Sequence, residues 1–288
     1  FCAPALFADV PPYSPSLGST APAVVLTPAE REWLSAHDGK IRLGIAPTPP
    51  HVMFENGQCQ GIMIDHLRLV ERKLGCHFEQ VRFNTWGEAL RAARDREVDV
   101  LPGIQKTAER LQYLQFTAAY DQYPNVIVVR NDRKLEEDVT LAQMEQDGWV
   151  VAVNGGSAVQ EYLRQHHPSL RLSVVSDAPT ALIQVSQGEA DAAVNELWRN
   201  WYYIERLKLG NLRLAGNIPL MYQLHFAVRK DWPVLTGILD KGVASVTNEE
   251  NKAIEGQWIS VGRPPFYGTA VFWLVAGGVL LAVLLALA

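Results

Sequence analysis

Runs of like charge are missing from this chain. Its 26 Lys and Arg are spread along 288 residues with no cluster of five or more, and the net charge is −5. Nothing offers a polyanion a binding stripe, so nucleic acid is not an expected partner. No G-x-S-x-G elbow and no Walker phosphate loop occurs. Neither His166-His167 nor His51 has partners at metal-ligand spacing. No catalytic residue, metal or cofactor is therefore expected. Cysteine is scarce, with three in all, and only Cys59 and Cys76 fall in the body of the chain. An exported compartment would let them pair, but two cysteines across a predicted hairpin and helix do not establish a bridge.

What is present is apolar content of 48%, enough for a substantial core in about two compact units. Residues 1–8 (FCAPALFA) read as the tail of a signal peptide with a small residue at the cleavage point. Residues 9–25, with prolines among serines and alanines, read as an extended linker. At the other end, residues 269–288 (TAVFWLVAGGVLLAVLLALA) carry no charge. At about 1.5 Å per residue they span about 30 Å, the thickness of a hydrocarbon core. A core helix is seldom apolar on every face over such a length, so a transmembrane helix is expected. Arg263, Pro264 and Pro265 precede it, with Phe266, Tyr267 and Trp273 near the expected interface.

Between these ends, strand and helix signals alternate. Thr27-Pro-Ala-Glu30 is a capping box opening a helix to about His37. Lys40–Ala46 alternates as a first strand, and Met53–Gly57 carries a hairpin signal. A helix with Met63, Leu67, Val70 and Leu74 at helical spacing runs from Gly61 to Gly75. Asp65 reads as a helix-terminus residue and His66 as a helix-surface one. His77–Arg82 is a second strand, and Thr85 with Glu88 caps a helix to about Arg94. Trp86 would face the mouth of the first sheet, either in core packing or as a wall against a ligand.

The stretch from Asp99 to Arg130 is the most informative. Asp99–Leu101 reads as a buried strand whose carboxyl end breaks at Pro102 and Gly103, and ligands in open α/β sheets collect at such ends. Thr107 can cap the short helix that follows, which puts Arg110 on its first turn. A guanidinium so placed can grip a carboxylate through two parallel hydrogen bonds; the alternative is a solvated helix arginine.

Beyond Arg130 a second unit begins. Trp149–Val153 is a strand, and Asn154-Gly-Gly-Ser157 feeds a helix over 158–166 with Ser157 and Gln160 as its capping box. A glycine turn into a helix amino end is an anion site by geometry, although such ends also hold water alone. Arg171–Val175 is a strand, Asp177 caps a helix ended by Gly188, and Ala190–Val194 is a strand with Asn195 and Glu196 at its end. Asp191 reads as structural. Leu220–Val228 returns as a strand, Pro233–Ala244 is a helix, and Thr247 with Glu250 caps the last helix, ending near Trp258.

Gly103-Ile-Gln-Lys-Thr107-Ala-Glu-Arg110, then Phe116-Thr-Ala-Ala-Tyr120, then Val126–Val129 resembles the G-M-T-x-T-x-E-R segment and following strand of the bacterial family 3 solute-binding proteins. That resemblance extends over about residues 39–262. It implies a two-lobe α/β periplasmic-binding-protein, or Venus-flytrap, fold, here followed by the transmembrane helix. Lobe 1 is expected over 26–129 and 223–262, and lobe 2 over 130–222. By the same resemblance Arg110 would bind an α-carboxylate, beside Gly103 and Gln105, the latter replacing the family's hydroxyl residue. Glu196 would bind the ligand's ammonium group, or Asn195 if the register slips by one. Ser157 and Trp86 complete the expected ligand-binding set.

Within the family, Pro49-Pro50, Gly61–Asp65, Trp86–Leu90, Asp99–Gly103 and Asn211–Gly216 look most like the periplasmic sensor domains of hybrid histidine kinases of the Bvg and Evg type. The expected function is therefore ligand sensing for a membrane-anchored receptor with a histidine kinase or diguanylate cyclase output. A membrane-tethered amino-acid receptor for an ABC permease is the alternative. Murein lytic transglycosylases also carry such domains, but no catalytic domain lies between Gly262 and the apolar run. Expected partners are a small-molecule ligand (an amino acid or small carboxylate), the bacterial inner membrane and, as an option left open, a second copy of the chain.

Overall fold

Helix entries and exits follow the local chemistry of the chain. The computed structural model describes residues 24–258, apart from 56 and 136. The signal-peptide stretch 1–8, nearly all of the linker and the apolar run 269–288 lie outside the described residues. Among the described residues no helix is long and apolar enough to cross a membrane.

The first helix, α1 (Pro28–His37), starts on a reciprocal cap in which Glu30 N donates to Thr27 Oγ1 and Thr27 N donates to Glu30 Oε2. After β1 (Arg42–Ile45) comes the antiparallel hairpin β2 (Met53–Glu55) and β3 (Gln58–Gln60). Helix α2 (Ile62–Leu74) ends where Gly75 takes a left-handed conformation, φ 66°. It lays Met63, Leu67, Val70 and Leu74 against Ile41, Leu43 and Ile45 in the first core, each such burial contributing about 1.5–3 kcal/mol. Then follow β4 (Glu79–Arg82), α3 (Trp86–Arg94) with its Thr85–Glu88 capping box, and β5 (Val100–Ile104).

Here the structure departs from expectation, because β5 runs through Pro102 and Gly103 instead of stopping there. The register against its neighbour shifts between His225 and Ala227, so the proline and glycine sit in a bulge. A bulge frees the proline from donating to the ladder, which is how a strand tolerates one. Gly103 is also required by space: a Cβ there would stand 2.4 Å from Met63 Sδ and 2.7 Å from Tyr120 Oη.

A single 3-10 turn, Arg110–Gln112, leads to β6 (Leu114–Phe116) and to the long β7 (Asp121–Arg130). The charged segment beyond holds one short helix, α4 (Leu141–Gln146). Next come β8 (Val150–Asn154), α5 (Ala158–His166), β9 (Arg171–Val175), α6 (Ala178–Gln187), β10 (Ala192–Glu196) and α7 (Leu197–Arg206). One strand of 18 residues, β11 (Leu212–Arg229), replaces the shorter returning strand expected at 220–228. Helices α8 (Pro233–Ala244) and α9 (Asn248–Trp258) close the described chain.

All strands but the hairpin join one nine-stranded sheet, in the order β4-β1-β5-β11-β7-β10-β8-β9 with β6 also on β11. Parallel β4-β1-β5 and parallel β10-β8-β9 form two half-sheets. The antiparallel pair β7-β11 links them, with Leu212 opposite Arg130 at one end and Leu224 opposite Asp121 at the other. Separate apolar clusters sit on each half: Leu43, Phe78 and Phe226 belong to one, and Val151, Leu163 and Ala192 to another.

One further reading is corrected. His66 is buried, not on the helix surface, because α2 packs against the sheet on one face and against α8 and α9 on others. Cys59 and Cys76 are free thiols, and burial raises both above the ordinary thiol range. Asp65 lies fully buried in the first turn of α2, where Trp258 Nε1 donates to its carboxylate at 2.7 Å. Asp191 is structural as expected, accepting from Val150 N at 2.8 Å and facing Arg133 at 2.9 Å.

Candidate functional site

The carboxyl ends of β1 and β5 face those of β8 and β10 across a cavity of about 390 Å³. Ends of parallel strands leave loops and helix amino termini there, so polar groups converge on an otherwise apolar hollow. Gly103, Gln105, Arg110, Ser157 and Trp86 all line this cavity, as do Asn154, Asp177, Arg199, Tyr203 and Tyr222. Asn195 and Glu196 do not.

Arg110 is 4% exposed. Its position is set by the turn that follows the bulged end of β5, where its own N donates to Thr107 Oγ1 at 3.3 Å. Its guanidinium donates to Gln105 O at 2.7 Å and, across the cavity, to Gly156 O at 3.0 Å; Glu161 lies 3.4 Å away. An arginine fork carries more donors than these contacts use. Gln105 Nε2 donates to Met221 O at 2.9 Å, which leaves its buried Oε1 without a partner among the described residues.

On the opposite side, Ser157 caps α5 by accepting from Gln160 N at 3.1 Å, and it donates to Asn154 O at 2.7 Å. Gly156 N donates to Gln160 Oε1 at 2.8 Å. The glycine turn thus satisfies several of its own donors, and Asn154 Oδ1 is left buried without a partner among the described residues. Asp177 caps α6, its oxygens accepting from Thr180 N, Thr180 Oγ1 and Ser176 Oγ. Burial works against ionisation of Asp177, but those hydrogen bonds outweigh it and hold the carboxyl below the usual range.

Glu196 is fully buried as the cap of α7, accepting from Trp198 N at 2.6 Å and from Arg199 N at 3.1 Å. Its remaining partner is His51, also fully buried, with Nε2 2.8 Å from the carboxylate. Desolvation alone would push the Glu196 carboxyl up, yet the adjacent His51 and the backbone donors bring it below its ordinary value. Asn195 accepts from Glu196 N through Oδ1 at 2.9 Å. The structure therefore turns these two residues toward the protein's own interior contacts.

Sequence reasoning singled out neither Arg199 nor the His51–Glu196 pair. Arg199 is on the first turn of α7, directly after a strand end that was recognised, so its position was legible even though its role was not. The guanidinium lies 5.7 Å from the Tyr222 ring and its Nε is buried without a partner among the described residues. Burial disfavours its charge, while Tyr222 and Glu196 nearby favour it and keep it above the ordinary value. No group of metal-ligating side chains is found among the described residues.

Comparison with known proteins agrees with this fold. The family model of bacterial extracellular solute-binding proteins, family 3, matches residues 41–261. The virulence sensor protein BvgS of Bordetella pertussis is 26% identical over 261 residues, covering 88% of this chain and 21% of that protein. The sensor protein EvgS of Escherichia coli K12 is 24% identical over 239 residues, covering 82% of this chain and 19% of its own. The chain thus spans about a fifth of the length of these curated relatives. The crystal structure of the B. pertussis BvgS periplasmic VFT2 domain superposes with a TM-score of 0.71 at 26% identity, covering 81% of this chain and 99% of that one.

Proposed function

The chain belongs to the bacterial extracellular solute-binding proteins of family 3, and from that membership we propose that it is a periplasmic sensing domain that binds an amino acid or similar small carboxylate between two lobes. The observation that carries this reading is the cavity between the half-sheets with the buried Arg110 in its wall. A guanidinium desolvated in this way forms charge-assisted hydrogen bonds with a carboxylate that water would weaken. Lobe 1 is taken as 26–129 with 223–262, lobe 2 as 130–222, and the ligand favours the closed arrangement by its higher affinity for it.

The similarity to BvgS and EvgS supports a receptor role over a transport role. In this reading a signal peptide exports the chain, the apolar run 269–288 anchors it in the inner membrane, and closure biases a histidine kinase or diguanylate cyclase elsewhere in the same protein. Calorimetry of the 288-residue chain in detergent with a panel of amino acids and small carboxylates tests it. Arg110→Ala is expected to weaken the bound carboxylate at least tenfold, since such a bond contributes about 1.5–3 kcal/mol. Arg110→Lys, lacking the planar fork, should not restore it. Unchanged affinity in a folded Arg110→Ala protein would remove the assignment.

A further inference from the structure

Resting on the small-carboxylate reading, the distribution of charge around the cavity narrows the ligand further. Two arginines line it from opposite sides: Arg110 from the turn beyond β5 and Arg199 from the first turn of α7. The Arg199 guanidinium lies 5.7 Å from the Tyr222 ring, with Glu196 as a neighbouring charge that attracts it. Both neighbours favour its charge, but its buried Nε has no partner among the described residues, and an incoming anion would supply one.

The acidic side of the ledger is nearly empty. Among the described residues Asp177 is the sole carboxylate in the lining, with its oxygens engaged by Ser176 and Thr180, while Glu161 stands 3.4 Å from Arg110 outside the lining. Glu196, the residue that the family resemblance would set against an ammonium group, is fully buried outside the lining, with His51 at 2.8 Å on its carboxylate. The imidazole holds the place that a ligand's cation would need. Gln105 Oε1 and Asn154 Oδ1 remain as neutral acceptors without partners among the described residues.

We infer that the cavity takes a small dicarboxylate without an ammonium group, one acid held by Arg110 and the other by Arg199. At Arg110 the acid takes donors left over from Gln105 O and Gly156 O and competes with Glu161, 3.4 Å away, and Arg199 gains the partner that its buried Nε lacks among the described residues.

The test is calorimetry on the 288-residue chain in detergent with three sets of probes: succinate and glutarate, their monomethyl esters, and aspartate and glutamate. The diacids are expected to bind at least tenfold more tightly than both their half-esters and the matching amino diacids. Arg199→Gln should shrink the diacid-to-half-ester ratio to about twofold, and Arg199→Lys should keep part of it, with circular dichroism confirming that each variant is folded. The wild-type ranking needs no variant, so a misfolded mutant leaves the inference exposed to test. Glutamate binding as tightly as glutarate, or a ratio unchanged by Arg199→Gln, overturns it. If monocarboxylates or amino acids bind through Arg110 but diacids gain nothing, this inference falls while the small-carboxylate reading stands. If none of these probes binds, this inference falls, and the wider panel of amino acids and small carboxylates decides the reading on which it rests.

Discussion

His66 shows how a single residue's surroundings change its chemistry. Burial between α2 and the aromatic ring of Tyr120, 4.9 Å away, lowers its protonation below the ordinary value of 6.5. The unfolded chain binds a proton near that value and the folded one resists it, so stability is full above pH 6.5 and declines as pH falls below it. Melting temperatures from pH 7.5 down to 5.5 should therefore drop, and His66→Gln should flatten that slope even if it lowers the plateau. An unchanged slope would mean that His66 is not the titrating group. His66 also marks a limit of reading residues singly. Its neighbours in sequence gave a helix, but only the packing of α8 and α9 against that helix determines that this face is covered.

Elements were legible where their signals are local. The caps at Thr27, Thr85, Ser157, Asp177 and Thr247 and the stops at Gly75 and Gly188 stand where side-chain chemistry within four residues predicts them. Strand lengths were not legible, because β11 is extended by partners far off in sequence, β7 over one stretch and β5 with β6 over another. The same holds for β5, where the bulge that accommodates Pro102 exists only against β11. Helix α9 depends on both kinds of signal. Thr247 and Glu250 start it locally, while Trp258, 1% exposed, fastens its end by donating to Asp65. Trp258→Phe keeps most of the apolar volume but removes that donor from a buried carboxylate. It should cost about 1–3 kcal/mol, read from the urea midpoint at unchanged slope.

At the scale of the whole molecule, the cavity's walls are tied together by contacts that no local reading could find. His51 and Glu196 are 145 residues apart in sequence, and Arg110 and Gly156 are 46 apart. Of the candidate site, Arg110, Gln105, Gly103, Ser157 and Trp86 were placed in the lining by motif and by position at strand ends. Glu196 was found by motif, but its engagement by His51 is a product of tertiary packing alone. Removing that partner leaves a carboxylate with no water to solvate it, so His51→Ala should lower stability by about 3–5 kcal/mol. Thermal unfolding of the variant checks this, and a change below about 1 kcal/mol would show that the pair contributes little. A further consequence lies in the two strands that pass between the half-sheets. Since β7 and β11 hydrogen-bond to each other along both halves, neither half owns a complete border. A gene cut into two would leave each product with a long row of unpaired backbone groups, an invitation to pair with any neighbouring chain. The two half-sheets are thus expected to fold and persist as one unit, joined by this ribbon.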